Sequence, residues 1–265
     1  MSNSRQEIYQ ASGPVHADVV TKSGDISVQM GSDNEVKVSL KASSSNAQAL
    51  LENAELHFDE ASNEIRIRTQ PHDQFDSLAG LTNLFMKSLR PGDLDVILTL
   101  PEGSSIKVVT ASGDTVTLGP LADVDVTTGS GDVRVGDTVN SVNVKTGSGD
   151  VVTGHVTESL ECRCASGDVR CDGAASATNI HTASGDVMVI AERSGDISIR
   201  AVSGDVRINV RPGLVIDVSG TTVSGDMGSA IPLDLSSGDD DDDEGETVSI
   251  NVVTVSGDFK ISRAS

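Results

Sequence analysis

The sequence carries almost no aromatic mass: its 265 residues include no Trp, one Tyr (Tyr9) and four Phe. That is little with which to fill a wide globular core, and it suits a narrow one packed with small branched side chains. The same scarcity argues against binding sugars by ring stacking. Cysteine is sparse as well. Cys162, Cys164 and Cys171 are an odd number without framework spacing, which argues against a disulfide scaffold. Three clustered thiols suggest a metal site, but Cys162 and Cys171 fall where the repeat described below carries Val or Ile, so they read as core thiols. Positive charge is short: 19 Lys and Arg stand against 40 Asp and Glu, a formal net charge of −21. Nucleic-acid phosphates and anionic membrane surfaces are repelled by such a chain, which leaves cations and basic partners. The same charge keeps a repetitive β protein from associating edge to edge. No run approaches the roughly 18 apolar residues of a membrane span. The polar start, Met1 to Glu7, is followed by no apolar signal-peptide core, so the expected location is the cytoplasm.

What the chain does have is a repeat. Ser-Gly-Asp recurs in steps of 18 residues as Ser112-Gly113-Asp114, Ser130-Gly131-Asp132, Ser148-Gly149-Asp150, Ser166-Gly167-Asp168 and Ser184-Gly185-Asp186. Ser203 follows after 19 residues and Ser224 after 21, further copies begin at Ser23 and Ser256, and those at Ser194 and Ser237 lie out of register. A fixed period of this kind decides the fold before any local signal does.

Apolar residues alternate on both sides of the triplet. Val133 and Val135, Val187 and Val189, and Val206 and Ile208 follow it; Ile106 and Val108, Val124 and Val126, Val142 and Val144, Leu160 and Cys162, Ile197 and Ile199, and Ile250 and Val252 precede it. Period-two alternation means a strand with one buried face. Each repeat is therefore a strand, a corner and a second strand, with a looser third side such as Gly136 to Ser141. Eighteen residues divide into three sides of about six, the size of one coil of a triangular parallel β-helix. Six or seven coils stacked ~4.8 Å apart would make a rod of roughly 30–35 Å. The crossover preference favours the right hand, with left-handed hexapeptide helices the known exception. The expected fold is all-β: a parallel β-solenoid of about 18 residues per coil.

At the corner, Gly reaches φ > 0 without steric cost, and Ser and Asp hydrogen-bond nearby backbone. Thr110, Thr128, Thr146, Thr182, Thr222 and Thr254 stand two residues before a triplet and are expected to stack into a ladder. Asp114, Asp132, Asp150, Asp168, Asp186 and Asp205 should stack likewise. Carboxylates so close repel unless hydrogen-bonded, hydrated or bridged, which makes weak calcium binding the alternative to a turn-making role, although the tandem glycines of calcium-binding β-rolls are missing.

Three regions are distinguished: a tail over 1–13, a β-rich capping region over 14–105, and the solenoid over 106–265 with an acidic loop at 233–247. The second holds strand-like runs at Val15–Val20, Asp25–Met30, Glu35–Leu40, Ala54–Phe58 and Glu64–Arg68, and a short helix over Asn46–Asn53. An insertion at 71–93 places Leu78, Leu81, Leu84, Phe85 and Leu89 at near-helical spacing. It reads as a surface helix packed on the solenoid, or else as an exposed partner-binding helix using Leu81, Leu84, Phe85 and Leu89. The acidic run Asp239–Asp243 with Glu244 and Glu246 reads as a solvated loop. His16, His57, His72, His155 and His181 are scattered without ligand spacing, no His recurs beside the Ser-Gly-Asp triplet, and no glycine-rich nucleotide loop is present. Nothing here composes a catalytic site or a cofactor site.

Recurrent Ser-Gly-Asp-Val after apolar-x-apolar-x-Thr strands, together with Leu98-Thr99-Leu100-Pro101-Glu102-Gly103 leading into Ile106 to Asp114, resembles the bacterial putative-adhesin family of β-strand-repeat proteins, a domain of unknown function. The likeness covers about residues 10–262 and implies no catalytic residues. The coil size is also similar to that of bactofilins, bacterial cytoskeletal β-helices that polymerise end to end; this is architectural analogy, as their motifs are not matched. The expected function is that of a non-enzymatic scaffold or interaction protein, working through protein partners or copies of itself. A surface adhesin or calcium-dependent module and a polysaccharide-active β-helix enzyme are the alternatives.

Overall fold

The computed structural model describes residues 3–43, 47–69, 93–229 and 246–264. Leu81, Leu84, Phe85, Leu89 and the run Asp239–Asp243 lie outside the described residues. In chain order the elements are β1 (Ser4–Gln10), β2 (His16–Thr21), β3 (Ile26–Gly31), β4 (Glu35–Ala42), α1 (Gln48–Asn53), β5 (Glu55–Asp59), β6 (Glu64–Arg68), β7 (Leu94–Pro101), β8 (Ser105–Ser112), β9 (Thr115–Leu118), β10 (Leu121–Ser130), β11 (Val133–Ser148), β12 (Val151–Ser166), β13 (Val169–Gly173), β14 (Ala177–Ser184), β15 (Val187–Ala191), β16 (Gly195–Ser203), β17 (Val206–Val210), β18 (Val215–Ser224), β19 (Met227–Ser229), β20 (Thr247–Ser256) and β21 (Phe259–Arg263).

All the strands join one open, predominantly parallel sheet that folds back at the corners. Strands that lead into a corner stack as β6, β2, β8, β10, the second half of β11, the second half of β12, β14, β16, β20 and β18. Strands that leave a corner stack as β7, β3, β9, the first halves of β11 and β12, β13, β15, β17, β21 and β19. Through the regular stretch the register joins each residue to the one a repeat later, as in Val124 beside Val142 and Val142 beside Leu160. The alternating pairs read from the sequence fill one continuous core; Val126, Val144, Cys162, Val189, Ile199 and Ile208 are fully buried. Leu121, Val139 and Val156 close a short third side.

The threonines at the strand ends stand in register, but the column is mixed: Thr146 pairs with Cys164, Cys164 with Thr182 and Thr182 with Ala201. Thr110 and Thr128 donate their hydroxyls to Ser112 O at 3.1 Å and Ser130 O at 3.2 Å. Thr146, Thr182 and Thr254 bury hydroxyls that have no partner among the described residues, so there the β-branched packing is the contribution.

Three features of the structure correct the sequence reading or go beyond it. The stack does not follow chain order at its far end, because β20 lies between β16 and β18, and the Ser256 corner therefore precedes the Ser224 corner. The physical reason is side-chain size. Ile250 and Val252 of β20 fill the core beside Ile197 and Ile199, whereas β18 offers Val218 and Gly220 in those places and occupies the end. Secondly, the region before Ser112 is only partly a cap: β2, the Ser23 corner and β3 form a regular member of the stack directly under β8 and β9. The antiparallel strands β4 and β1 flank β7 on one side and β5 flanks β6 on the other. Thirdly, residues 1–13 are no mere tail, since Ser4–Gln10 is a strand on β4, anchored where the Tyr9 ring lies 5.3 Å from that of Phe58. The charged residues Arg5, Glu7, Glu55 and Asp59 on these edge strands discourage further strand addition.

The stacked corners leave no room for a Cβ. Gly149 has φ +135°, and a Cβ built there would stand 2.2 Å from Gly131 O. Gly149→Ala is expected to lose about 2–5 kcal/mol through combined backbone strain and overpacking. The check is a urea melt run beside Gly13→Ala, whose Cβ would meet nothing within 4 Å and which should remain near wild type.

Candidate functional site

The corner column is where the sequence concentrates its polar chemistry, and its geometry begins with the backbone. Along the stack from Gly113 to Gly257 the corner Gly donates its N–H to the corner Ser carbonyl of the next level, as from Gly131 to Ser148 and from Gly149 to Ser166, both at 3.1 Å. The following Asp then finds its own N–H facing the Asp below. Asp132 N–H donates to Asp114 Oδ1 at 2.9 Å, Asp150 to Asp132 at 3.0 Å, Asp168 to Asp150 at 2.9 Å, and Asp186 to Asp168 and Asp205 to Asp186 at 2.8 Å. The chain of bonds continues through Asp258 and ends at Asp226. At the other end Asp114 donates to Asp25, and Asp25 to Asp95. Each such bond satisfies a corner amide that would otherwise be unpaired.

The second carboxylate oxygens are partly neutralised by the strand that leaves the corner. Arg134 reaches Asp132 Oδ2 at 2.8 Å, Arg207 reaches Asp205 Oδ2 at 2.8 Å and Asp186 Oδ2 at 3.4 Å, and Lys260 lies 3.9 Å from Asp258. Calcium needs six to eight oxygens converging on one point. Among the described residues no group of three or more His, Cys, Asp or Glu is placed to hold a metal ion. What this arrangement does chemically is make the turn: Asp114, Asp132, Asp150, Asp168, Asp186 and Asp205 each bond the backbone of a neighbouring level. Asp25, Asp95, Asp226 and Asp258 belong to the same ladder; of these, Asp95 belongs to no Ser-Gly-Asp triplet and gave no sequence signal.

The three thiols are free and buried. Cys162 occupies a Val position between Val144 and Ile180, and burial pushes its pKa from 9.0 to about 12. Burial also raises Cys164 and Cys171. Cys164 Sγ takes the place of a Thr hydroxyl, 3.6 Å from Gly167 O and 3.8 Å from Gly149 O. Protonated buried thiols are poor nucleophiles.

A second feature lies on the outer surface of the face leading into the corners. Lys145, Arg163, His181 and Arg200, each three residues before a corner Ser, stand side by side on four successive strands. They border an open groove of about 950 Å³ whose floor includes Gly147, Ala165, Ala183, Val202 and Val255. The sequence reading missed this column. Writing the chain out at its own period would have exposed it, since the four basic residues share one position of the repeat.

A stacked, cornered parallel sheet with a structural Asp ladder places the chain among the solenoid-like repeat proteins. More narrowly, the Toastrack family model (DUF4097, a domain of unknown function) matches residues 15–262, and the chain belongs to that family. A crystal structure of a putative adhesin from Bacteroides fragilis aligns with 15% identity over 98% of both chains at a TM-score of 0.53, a similarity of fold. Two structures from Parabacteroides distasonis align over 97% of this chain and 96% of theirs at a TM-score of 0.42: a putative adhesin with 9% identity and a putative lipid binding protein with 12%. Comparison with curated proteins yields no match.

Two expectations follow. Asp150→Ala should lower stability by about 1 kcal/mol by leaving the Asp168 N–H without its acceptor, and Asp150→Asn, which keeps a side-chain carbonyl, should recover at least half of that in denaturant melts. Because the folded Cys162 thiol holds its proton more tightly than the unfolded one, its contribution is complete below pH 9.0 and falls as pH rises toward about 12. Urea midpoints at neutral pH and at about pH 10 should therefore drop less for Cys162→Val than for wild type.

Proposed function

We propose that this protein is a non-enzymatic β-solenoid scaffold that works by binding proteins, other copies of itself included, in the cytoplasm. The observation that carries the reading is the use of the corner residues. The Asp side chains, the one regularly repeated set of acid groups, accept backbone hydrogen bonds along the ladder from Asp95 to Asp258. Buried thiols and scattered histidines add no catalytic arrangement, so the lateral faces and the ends of the stack are the working surfaces. In this reading the solenoid is right-handed, as parallel crossovers favour, with 18 residues per coil.

An adhesin-like surface module that uses calcium is the second reading. The Bacteroides fragilis fold relative, described as a putative adhesin, is what favours it, and the calcium would sit on the carboxylates Asp114 to Asp205. A polysaccharide-active enzyme is disfavoured by the absence of Trp and the single Tyr.

Sedimentation velocity over a hundredfold concentration range, with and without millimolar calcium, separates the readings. Scaffolding predicts concentration-dependent oligomers that form equally well without calcium. A calcium-dependent rise in melting temperature would move the assignment to the second reading. A strict monomer that captures no partner from bacterial lysate would sink the scaffold.

A further inference from the structure

The basic column has no structural return. Parallel neighbours stand ~4.8 Å apart, and like charges directly opposite one another destabilise a sheet. Yet a chain with 19 Lys and Arg against 40 acids stacks Lys145 directly beside Arg163, with His181 and Arg200 on the next two strands. The arginines of the other face are used differently: Arg134, Arg170 and Arg207 all pair with nearby aspartates. In the column, Arg163 alone has an acid partner, Glu161 at 2.7 Å. Among the described residues Lys145, His181 and Arg200 make no ion pair. Beside them Gly147, Ala165 and Ala183 are exposed and too small to obstruct a chain lying along the stack, and Val202 is 54% exposed.

We propose that this groove is the docking site for the acidic run Asp239–Asp243 of a second copy of the chain. The inference rests on the self-association part of the scaffold reading. Charge complementarity is the first support, since the run offers five consecutive carboxylates to the column. Length is the second. Four side chains across three strand spacings cover about 14 Å, and five extended residues at ~3.3 Å each cover about the same. The groove is also lined by no Phe, Tyr or Trp, the large rings on which a base or a sugar would stack, which favours a polypeptide anion over a nucleic acid or polysaccharide. The contact joins two different surfaces of the chain, so copies either exchange runs in a closed two-fold pair or extend head to tail into rings or filaments.

The test uses two variants of the full chain. One reverses the column (Lys145→Glu with Arg200→Glu). The other neutralises the run (Asp239 to Asp243, each →Asn). All the substituted column positions are exposed, and unchanged melting curves verify folding; Lys145→Gln with Arg200→Gln replaces the reversed variant if it melts early. Sedimentation velocity should show wild type associating, more weakly as salt rises, and each variant associating at least tenfold more weakly. Mixed together, the two variants should form one-to-one pairs and stop, because one retains the run and the other the column. Undiminished association of both variants overturns the inference while leaving the scaffold reading intact. A mixture that fails to pair overturns the inference as well. A wild type monomeric at every concentration overturns both the inference and the self-association it rests on.

Discussion

The structure depends on one constraint: at each corner the backbone of one level passes so close to the next that only glycine fits. The carbonyl oxygens of Gly113, Gly131 and Gly149 each lie 2.2 Å from where a Cβ on the glycine above would be. That approach lets the Gly N–H reach the Ser carbonyl of the adjoining level, and it brings each Asp amide under the carboxylate of its neighbour. The triplet is thus a single unit. Ser supplies the carbonyl, Gly the clearance and Asp the acceptor for an amide that would otherwise be orphaned. Strands on both sides inherit their spacing from this column, and with it the alternation that sends Val and Ile inward.

These constraints are local, and for that reason the repeat was legible. A corner that accepts only Gly leaves Gly in every copy, and a half-buried strand leaves period-two alternation whatever stacks against it. Strand runs over 15–20, 25–30, 35–40, 54–58 and 64–68 were readable on the same ground. Stacking order was not. Whether β18 or β20 lies against β16 depends on a comparison between Val218 and Gly220 on one strand and Ile250 and Val252 on the other, and periodicity is blind to that comparison because both strands satisfy the same pattern. Ser4–Gln10 was hidden differently. Apart from Ile8 and Tyr9 its residues are polar, and all are half-buried at best, as suits an edge strand, so composition read as a tail.

The candidate sites divide along the same line. The Asp ladder was visible as a stack, but its chemistry was not. Proximity of carboxylates suggests a bridging cation, and only the direction of the backbone amides reveals that each Oδ1 already has a donor. The basic column was invisible for the opposite reason. Lys145, Arg163, His181 and Arg200 differ in identity and are separated by whole repeats, so no local window contains more than one of them. Adjacency in a solenoid is adjacency at the period.

This distribution of charge bears on what an acidic solenoid can bind. Basic residues on the strands leaving the corners serve the ladder, since Arg134, Arg207 and Lys260 face carboxylates that would otherwise repel one another along its length. Their removal would be felt as repulsion inside the protein. On the strands entering the corners Arg163 pairs with Glu161, but Lys145, His181 and Arg200 make no ion pair among the described residues and are open to an anion from outside. A net charge of −21 opposes most anions at long range, but beyond a Debye length of ~8 Å that opposition is screened at physiological ionic strength. Contact with the groove is therefore decided by what lies within a few ångströms, where the local sign is positive and the floor is apolar. Long-range repulsion keeps such proteins apart in general, and a short acidic segment reaching across that gap is the kind of anion the remaining field tolerates.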